Sequence, residues 1–209
     1  MLEKISQRDG LWWPNSDQGG WDYTTRIAPN VPMELLRFVA KKDVVVQAGG
    51  NCGQYIRQYA QNFKTVYTFE PDPLNFFCLN LNCQLDNVIK FQACVGYERT
   101  LINLNVNDHD TSATHIAPDQ VGNIPTLRID DLNLQDCDLI QLDTEGYEYF
   151  GVLGAENTID KFKPVLCIEW YAPWAQRYGV DLQMLEDFIA KWNYVLVGVD
   201  VSDRIYKVK

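Results

Sequence analysis

The chain has 209 residues, of which 46% are hydrophobic and 22% are charged, as is typical of a globular protein with a substantial core. Its formal net charge of -10 argues against a nucleic-acid-binding protein, because affinity for phosphates needs clustered Lys and Arg side chains. The first ten residues lack an apolar signal core and no apolar run is long enough for a membrane helix, so a cytoplasmic protein without a membrane partner is expected.

The six cysteines are scattered along the chain without any C-x-x-C pair. This pattern predicts buried thiols, and it argues against a disulfide framework or a metal site built from cysteine. The length predicts one domain over residues 1–209, in which residues 1–40 cover a core formed by residues 41–209.

The first 40 residues are rich in Trp, Pro and Gly, and three of the tryptophans (Trp12, Trp13 and Trp21) fall within ten residues. Such a segment is too apolar for a disordered tail, so it is predicted to pack across the domain. It either walls a pocket, covers a sheet edge or forms a homodimer contact, and the sequence leaves these three alternatives open. Residues 33–40 resemble a short helix that leads into the core.

A buried strand is predicted where Val44, Val45 and Val46 form a run without alternation, as in a parallel sheet covered on both faces. The run leads into Gly49, Gly50 and Gly53. Glycines adopt backbone conformations closed to other residues and bring no Cβ near a ligand, so a tight strand-to-helix turn is expected there. A helix is then predicted over residues 54–62, with its N-terminus directed at the turn.

A second strand, over residues 65–69, ends in Glu70, which lies 21 residues beyond Gly49. A carboxylate at this strand tip can accept hydrogen bonds from both hydroxyls of a ribose. The glycine loop differs from a dinucleotide loop because Asn51 stands in place of the middle glycine, where its side chain crowds a pyrophosphate. The pair of features therefore favours a nucleoside ligand without phosphates, of which S-adenosylmethionine is the common example.

A β-α-β-α-β unit is predicted over the first half of the core. Pro71 and Pro73 stop the second strand, residues 74–83 form a helix, and a third strand runs over 88–95 to Gly96. In such sheets ligands bind beyond the carboxyl ends of the strands. Two apolar residues there either contact an adenine or belong to the core: Cys94 and Val95.

An exposed strand over residues 99–106 is predicted to pair with the end of the third strand, and a polar loop follows over 107–123. The loop holds both histidines, His109 and His115. A loop histidine can take a proton near neutral pH, so His115 is a candidate base; two solvated surface side chains are the alternative.

Three acidic residues follow the predicted strand at residues 138–142. Asp143, at the strand tip, is expected to face the ligand. Glu145 and Glu148 are three residues apart and are expected to share a helix face, where they act in chemistry or stabilise the helix dipole. Asp143 and Glu145 are thus candidates for the catalytic site.

The last third of the chain is predicted to hold a helix to about residue 162, a strand over 165–168 that ends in Glu169, and a helix capped by Asp181. Two closing strands, over 194–199 and 204–208, form a hairpin. We therefore predict an α/β, Rossmann-like fold with a mostly parallel seven-stranded sheet, a C-terminal antiparallel hairpin and helices on both faces.

Five linked motifs resemble those of the FkbM-type S-adenosylmethionine-dependent methyltransferases: QAGGNCG (for the usual D-x-G-A-N-x-G), FEPDP, TLRIDDL, DLIQLDTEGYEYFGVLGA and PVLCIEW. The resemblance covers residues 44–170. It implies a class I methyltransferase that uses S-adenosylmethionine to methylate a hydroxyl of a sugar or other small molecule. The cofactor-binding residues that it and the loop pattern imply are Gln47, Gly49, Gly50, Asn51, Gly53, Glu70, Asp72, Asn75, Cys94, Val95 and Asp143.

One residue departs from the family pattern, because Gln47 stands where the family normally has an acid. The amide keeps a hydrogen-bonding tip but loses the charge that would attract the ligand's ammonium group. A non-catalytic nucleoside-binding relative is therefore one alternative, and an NAD-dependent oxidoreductase, which Asn51 and the closing hairpin oppose, is another. For a methyltransferase, the expected base is Asp143, Glu145 or His115, and Mg²⁺ chelated by the two acids is the alternative to a metal-free site.

Overall fold

The computed structural model describes residues 1–117, 122–200 and 202–209, so the predicted loop at 107–123 and the turn before Asp203 lie partly outside the described residues. The strands are β1 (Ile5–Arg8), β2 (Leu11–Pro14), β3 (Val44–Ala48), β4 (Thr65–Phe69), β5 (Val88–Phe91), β6 (Cys94–Val95), β7 (Leu101–Asn105), β8 (His115–Ala117), β9 (Ile124–Leu127), β10 (Leu139–Leu142), β11 (Val165–Glu169), β12 (Tyr194–Asp200) and β13 (Asp203–Val208). The α-helices are α1 (Gly19–Asp22), α2 (Val31–Leu35), α3 (Gln54–Asn62), α4 (Pro73–Asn82), α5 (Glu148–Leu153), α6 (Glu156–Phe162), α7 (Ala172–Gln176) and α8 (Leu182–Ala190). One π-helical turn (Tyr23–Ile27) extends α1, and short 3-10 turns occupy Leu2–Lys4, Leu36–Phe38, Thr111–Ala113 and Ile129–Leu132.

The central sheet has seven strands in the order β12-β13-β11-β10-β3-β4-β5. The five strands from β11 to β5 are parallel, whereas β13 pairs antiparallel with both β11 and β12. The predicted fold, with its C-terminal hairpin, is confirmed. Because β3 lies between β10 and β4, its carboxyl end is at the centre of the sheet's binding edge.

Both faces of the sheet are covered, which explains the run of valines in β3. Val46 packs with Ile159 of α6 and Leu185 of α8 on one face. Val45 packs with Ile56 of α3 on the other. Consecutive strand residues point to opposite faces, so both valines are fully buried. The six cysteines are all buried free thiols, as predicted.

The third strand was predicted wrongly as one unit over residues 88–95. It divides into β5, which joins the central sheet, and β6, which pairs with β9 in a second sheet of order β6-β9-β7-β8. The strand predicted at 99–106 exists as β7, but it pairs with β8 and β9 and not with the end of the third strand. Of these partners, β8 comes from the polar stretch predicted as loop and β9 follows it directly, and strands this short have too few residues to show an alternating pattern.

Two predicted helices are also shorter than expected. The helix expected after β10 is two helices, α5 and α6, separated at Gly154, where a Cβ would overlap the carbonyl oxygen of Gly96. The helix expected at residues 33–40 consists of α2 followed by a 3-10 turn. Among the described residues, none of the helices has both the length and the apolar character that crossing a bilayer requires.

The N-terminal segment packs against the core as a hairpin followed by α1. Trp13 is fully buried and meets Trp21 edge to face, with ring centroids 5.2 Å apart. Asp17 is also fully buried, and its carboxylate accepts hydrogen bonds from the indole of Trp13 and from the backbone N–H of Gly20 and of Thr111. The carboxylate thereby fastens this segment to the 3-10 turn at 111–113.

Candidate functional site

A cavity of about 510 Å³ opens at the carboxyl ends of β3, β4, β10 and β11. It is lined by most of the site residues that the sequence predicts, namely Gly49, Gly50, Asn51, Glu70, Cys94, Val95, His115, Asp143 and Glu145. Four of the predicted residues do not line it: Gln47, Gly53, Asp72 and Asn75. Cys94 and Val95 are buried and also line the cavity. They therefore belong to the core and are also placed to contact a ligand.

The glycine loop is held to β4 by its backbone. The N–H groups of Gly49 and Gly50 both donate to the carbonyl of Phe69, at 3.0 and 2.9 Å. Gly49 has a φ of +87°, and a Cβ there would overlap the carbonyl oxygen of Asp143. Only glycine therefore lets the loop pass this close to the tip of β10.

Glu70 is oriented by two backbone donors, one on each oxygen. Asn51 N–H donates to Oε2 at 2.7 Å and Asp72 N–H donates to Oε1 at 2.8 Å. The side chain is only 6% exposed, and burial raises its pKa to about 8. A carboxylate has about four acceptor positions, so two remain for hydroxyl donors from the cavity. This geometry fits a ribose diol.

Gln47 does not face the cavity, and its side-chain amide forms hydrogen bonds with carbonyls at the start of the glycine loop. Its Nε2 donates to the carbonyls of Ala48 and Gly49 at 3.0 and 2.8 Å, and its Oε1 accepts from the Thr68 hydroxyl at 2.8 Å. An ionised acid cannot donate, so it could not make the first two bonds. The departure from the family pattern is thus matched by the local hydrogen bonding.

The other three residues outside the cavity have structural contacts. Asp72 caps α4 by accepting from the N–H groups of Leu74 and Asn75. Asn75 is buried and donates to the carbonyl of Thr111. Gly53 begins α3 with a φ of +89°. Their cofactor-binding roles stay predictions. In this structure these residues would influence a cofactor by shaping the glycine loop and the N-termini of α3 and α4.

Three carboxylates meet at the tips of β10 and β11. Asp143, Glu145 and Glu169 each place a carboxylate oxygen within 4.8 Å of the others, and all three line the cavity. Burial raises the pKa of Glu145 to about 9 and that of Glu169 to about 12, and in both cases the Asp143 charge adds to the effect. Burial also raises the pKa of Asp143, whereas its contact with Glu169 lowers it. Glu145 and Glu169 therefore retain protons at neutral pH, and the contact with Glu169 favours the ionised form of Asp143.

Glu148 shapes the turn that carries these acids. The prediction that Glu145 and Glu148 share one face of a helix was wrong. Glu145 precedes the helix, with a left-handed φ of +59°, and Gly146 follows at +103°. The Glu148 carboxylate folds back and accepts from the N–H groups of Thr144 and Gly146 at 2.7 and 3.1 Å. Glu148 therefore stabilises the turn before α5, and it does not line the cavity.

His115 lies on β8 at the opposite wall, not in a loop. Its Nδ1 is 3.1 Å from the carbonyl of Ala113, which can only accept, so this nitrogen carries the proton. Its Nε2 is 3.3 Å from the amide nitrogen of Asn105, which can donate to it. Both ring nitrogens are thus engaged by the protein, so a role as base requires His115 to release Asn105.

The N-terminal segment supplies a wall of the cavity through residues whose role the sequence left open: Trp13, Gly19, Tyr23, Thr24 and Ile27. Its ends are fixed, because Tyr55 of α3 donates to the carbonyl of Ala28 and the N–H groups of Gln18 and Gly19 donate to that of His109. Burial and the Asp143 charge raise the pKa of Tyr23 to about 12. Sequence reasoning also missed two aromatic lining residues, Tyr171 and Trp174, whose only signal is their position just after the acid of β11.

Comparisons with known proteins identify the family. A family model for the methyltransferase FkbM domain matches residues 43–196, which is most of the chain. A search among curated proteins gave no match. The crystal structure of a methyltransferase FkbM from Methylobacillus flagellatus KT is similar, with 18% identity and a TM-score of 0.51 over 79% of this chain. This chain spans only 43% of that protein.

Two further solved structures show the same fold over nearly whole chains. A precorrin 8w decarboxylase from Methanobacterium thermoautotrophicum has 14% identity and a TM-score of 0.51, and the match covers 99% of this chain and 98% of that one. A precorrin-6y C5,15-methyltransferase from Geobacter metallireducens GS-15 has 14% identity and a TM-score of 0.53, covering 86% and 88%. At such identities the likeness establishes the fold and not the reaction.

Proposed function

The chain belongs to the FkbM methyltransferase family, and from that premise we propose that it transfers a methyl group from S-adenosylmethionine to a hydroxyl of a sugar or other small molecule. The observation that carries the proposal is Glu70, whose two oxygens are held by the N–H groups of Asn51 and Asp72 with acceptor positions left for a diol. The glycine loop beside it passes close to the tip of β10, because a Cβ at Gly49 would overlap the carbonyl oxygen of Asp143.

In this proposal the cofactor lies across the tips of β4, β3 and β10. Glu70 binds the ribose, the buried Cys94 and Val95 contact the adenine, and the loop from Gly49 to Asn51 contacts the methionine portion. When bound, S-adenosylmethionine supplies an electrophilic methyl group on a positively charged sulfur. Asn51 supports this cofactor over a dinucleotide, because its side chain occupies the place of the middle glycine in a pyrophosphate loop.

The protein's contribution to the reaction is to align the acceptor and to take its proton. The acceptor oxygen forms a bond to the methyl carbon while the carbon–sulfur bond breaks, and the hydroxyl proton passes to a carboxylate. Asp143 is the base that we favour, since it lies at the tip of β10 in the cavity and its contact with Glu169 favours its ionised form. Glu145 has a pKa of about 9 and His115 is engaged on both nitrogens, so each is less available.

Calorimetry and a methyl-transfer screen test this function. We expect S-adenosylhomocysteine to bind with micromolar affinity and NAD not to bind. We then expect methyl transfer from S-adenosylmethionine to at least one member of a panel of sugars, peptides and small hydroxyl compounds. Tight binding of NAD alone would indicate an oxidoreductase, and binding of neither ligand would indicate a relative without this activity.

A further inference from the structure

The acceptor half of the cavity is defined by what the proposed cofactor leaves free. With the cofactor placed along Glu70 and the glycine loop, the remaining walls are the clustered acids at the tips of β10 and β11 and a set of aromatic and apolar side chains. These side chains come from the N-terminal segment and from α7 with the residue before it, namely Tyr23, Ile27, Tyr171 and Trp174.

The charge on this surface is of one sign. Among the described residues, five acids line the cavity (Glu70, Asp110, Asp143, Glu145 and Glu169), and neither Lys nor Arg does. The nearest guanidinium with a contact there, that of Arg177, donates to the backbone carbonyl of Glu145 from outside the lining. The ionised members of this set would therefore repel a negatively charged acceptor, and a cation would favour ionisation of the others.

Glu169 supplies a second and separate sign of an absent cationic group. Its Oε2 is buried and has no hydrogen-bond partner within the described part of the chain, whereas its Oε1 accepts from the hydroxyl of Ser202 at 3.3 Å. In the absence of a ligand Glu169 retains a proton, which offsets its repulsion with Asp143, and no other described residue donates to its buried Oε2. A donor with positive charge would satisfy this oxygen and offset the repulsion between the two acids.

The rings beside the cluster favour an organic cation over a metal ion. Tyr171 and Trp174 lie edge to face with centroids 4.9 Å apart, and Tyr171 is 50% exposed at the cavity mouth. Aromatic faces attract ammonium groups, whereas Mg²⁺ retains water and prefers oxygen ligands.

We propose that the methyl acceptor carries a protonated amine near the hydroxyl that is methylated, and that Glu169 and Glu145 bind this ammonium group while Asp143 takes the hydroxyl proton. The inference rests on the proposed function, because it places the cofactor in the other half of the cavity. When the ammonium group binds, its positive charge replaces that of the protons that Glu145 and Glu169 retain in the absence of a ligand. Phosphorylated and carboxylated acceptors are excluded by the same charges.

The test measures binding of matched ligands to the protein loaded with S-adenosylhomocysteine at neutral pH. One series is 2-(aminomethyl)phenol, 2-ethylphenol and salicylate, and the other is glucosamine, glucose and glucuronate. Within each series the ligands keep one scaffold and differ in charge. We expect the amine to bind about tenfold more tightly than the neutral compound and the anion to bind more weakly still, in at least one series.

A pair of variants assigns the effect to the cluster. Glu169→Gln removes the carboxyl group that would ionise on binding the ammonium group, and it is expected to reduce the preference for the amine about tenfold. Asp136→Asn removes a charge at the opposite end of β10, next to Lys41, and is expected to leave the preference unchanged. Equal losses in both variants would show that the preference reflects net charge and would overturn the proposal.

The remaining outcomes distinguish failure of the ammonium proposal from failure of the proposed methyltransferase function. If S-adenosylhomocysteine binds but the anion is preferred, or neither amine binds at millimolar concentration, only the ammonium proposal fails. If Mg²⁺ is needed for the neutral ligands to bind and abolishes the preference for amines, the cluster is a metal site and the proposal is overturned. If S-adenosylhomocysteine does not bind, the proposed function fails first.

Discussion

The carboxylate of Glu148 accepts a 2.7 Å hydrogen bond from the backbone N–H of Thr144, so a residue of α5 shapes the turn that presents the acids of the cavity. The same oxygen accepts from the Thr144 hydroxyl and from Gly146 N–H, both at 3.1 Å. All three donors belong to the turn between Asp143 and α5. The position of Asp143 and Glu145 thus depends on an acid that does not itself face the cavity.

This relationship predicts different effects for two changes at Glu148. Glu148→Ala leaves the buried donors unsatisfied, so we expect the free energy of unfolding to fall by about 3 kcal/mol and methyl transfer to be lost with it. Glu148→Gln keeps an acceptor oxygen and should lower the free energy of unfolding by less than about 1 kcal/mol. Urea unfolding of both variants checks this. Equal destabilisation would show that the charge, and not the hydrogen bonding, matters.

The contact between the glycine loop and β10 predicts a second difference. Gly49→Ala combines a φ of +87° with overlap on the Asp143 carbonyl, whereas Gly10→Ala has a similar φ of +80° with nothing nearby. We expect about 1 kcal/mol of destabilisation at Gly10, from the backbone alone, and a clearly larger loss at Gly49 together with loss of cofactor binding. Similar losses at both sites would mean that the close approach is unimportant.

Replacement of Asp143 tests the proposed base. Asp143→Asn keeps the size of the side chain and removes its ability to take a proton, so we expect methyl transfer to fall at least about a hundredfold. Removing one of three clustered acids relieves repulsion, so the thermal midpoint should not fall and S-adenosylhomocysteine should still bind. Activity equal to that of the unaltered protein would exclude Asp143 from proton transfer and favour Glu145 or His115.

The buried acids predict how stability depends on pH without ligand. Burial raises the pKa of Glu70, Glu145, Glu148 and Asp203 to about 8, 9, 7 and 8. Each raised pKa means that the folded state holds a proton that the unfolded chain has released above pH 4.5. The stabilisation is therefore complete below about pH 4 and is lost as pH rises through the folded values, up to about pH 9.

Urea unfolding at several pH values between 5 and 9 checks this slope. The lowered pKa values, those of Asp43, Asp131 and Asp160, lie below 3.8 and leave this window unaffected. Glu148→Gln removes one of the titrating groups while keeping its hydrogen bonds, so it should flatten the curve between about pH 5 and 7. Stability that rises from pH 5 to pH 9 would contradict the assignment.

The sequence was sufficient for the elements whose signal is local. The unbroken valines of β3, the glycines after it and the acid at the tip of β4 each follow from side-chain size, backbone freedom or charge, and all lie where expected. Three parallel strands place their carboxyl ends at one edge, so the sequence alone predicts that Glu70 and Asp143 lie at one cavity.

What the sequence could not supply depends on long-range contacts. The sequence around Gln47 does not show that its side chain donates hydrogen bonds to carbonyls of the glycine loop and does not face the cavity. The pairing of β6 with β9 and the folding of the N-terminal segment over the cavity join parts of the chain far apart in sequence. Tyr23 is a cavity residue only because Asp17 and Tyr55 fasten that segment on both sides.

The most direct test of the account is the affinity of S-adenosylhomocysteine for Glu70→Gln and Asp181→Asn, measured by calorimetry beside the unaltered protein. A glutamine can accept from only one of the two backbone N–H groups and presents an amide to the cavity, so we expect affinity to fall about tenfold to a hundredfold. Asp181 caps α8 outside the cavity and an asparagine can replace it in that role, so its change should alter the affinity by less than about threefold. If Glu70→Gln bound the ligand as tightly as the unaltered protein, the placement of the cofactor's ribose on Glu70, and the function built on it, would be contradicted.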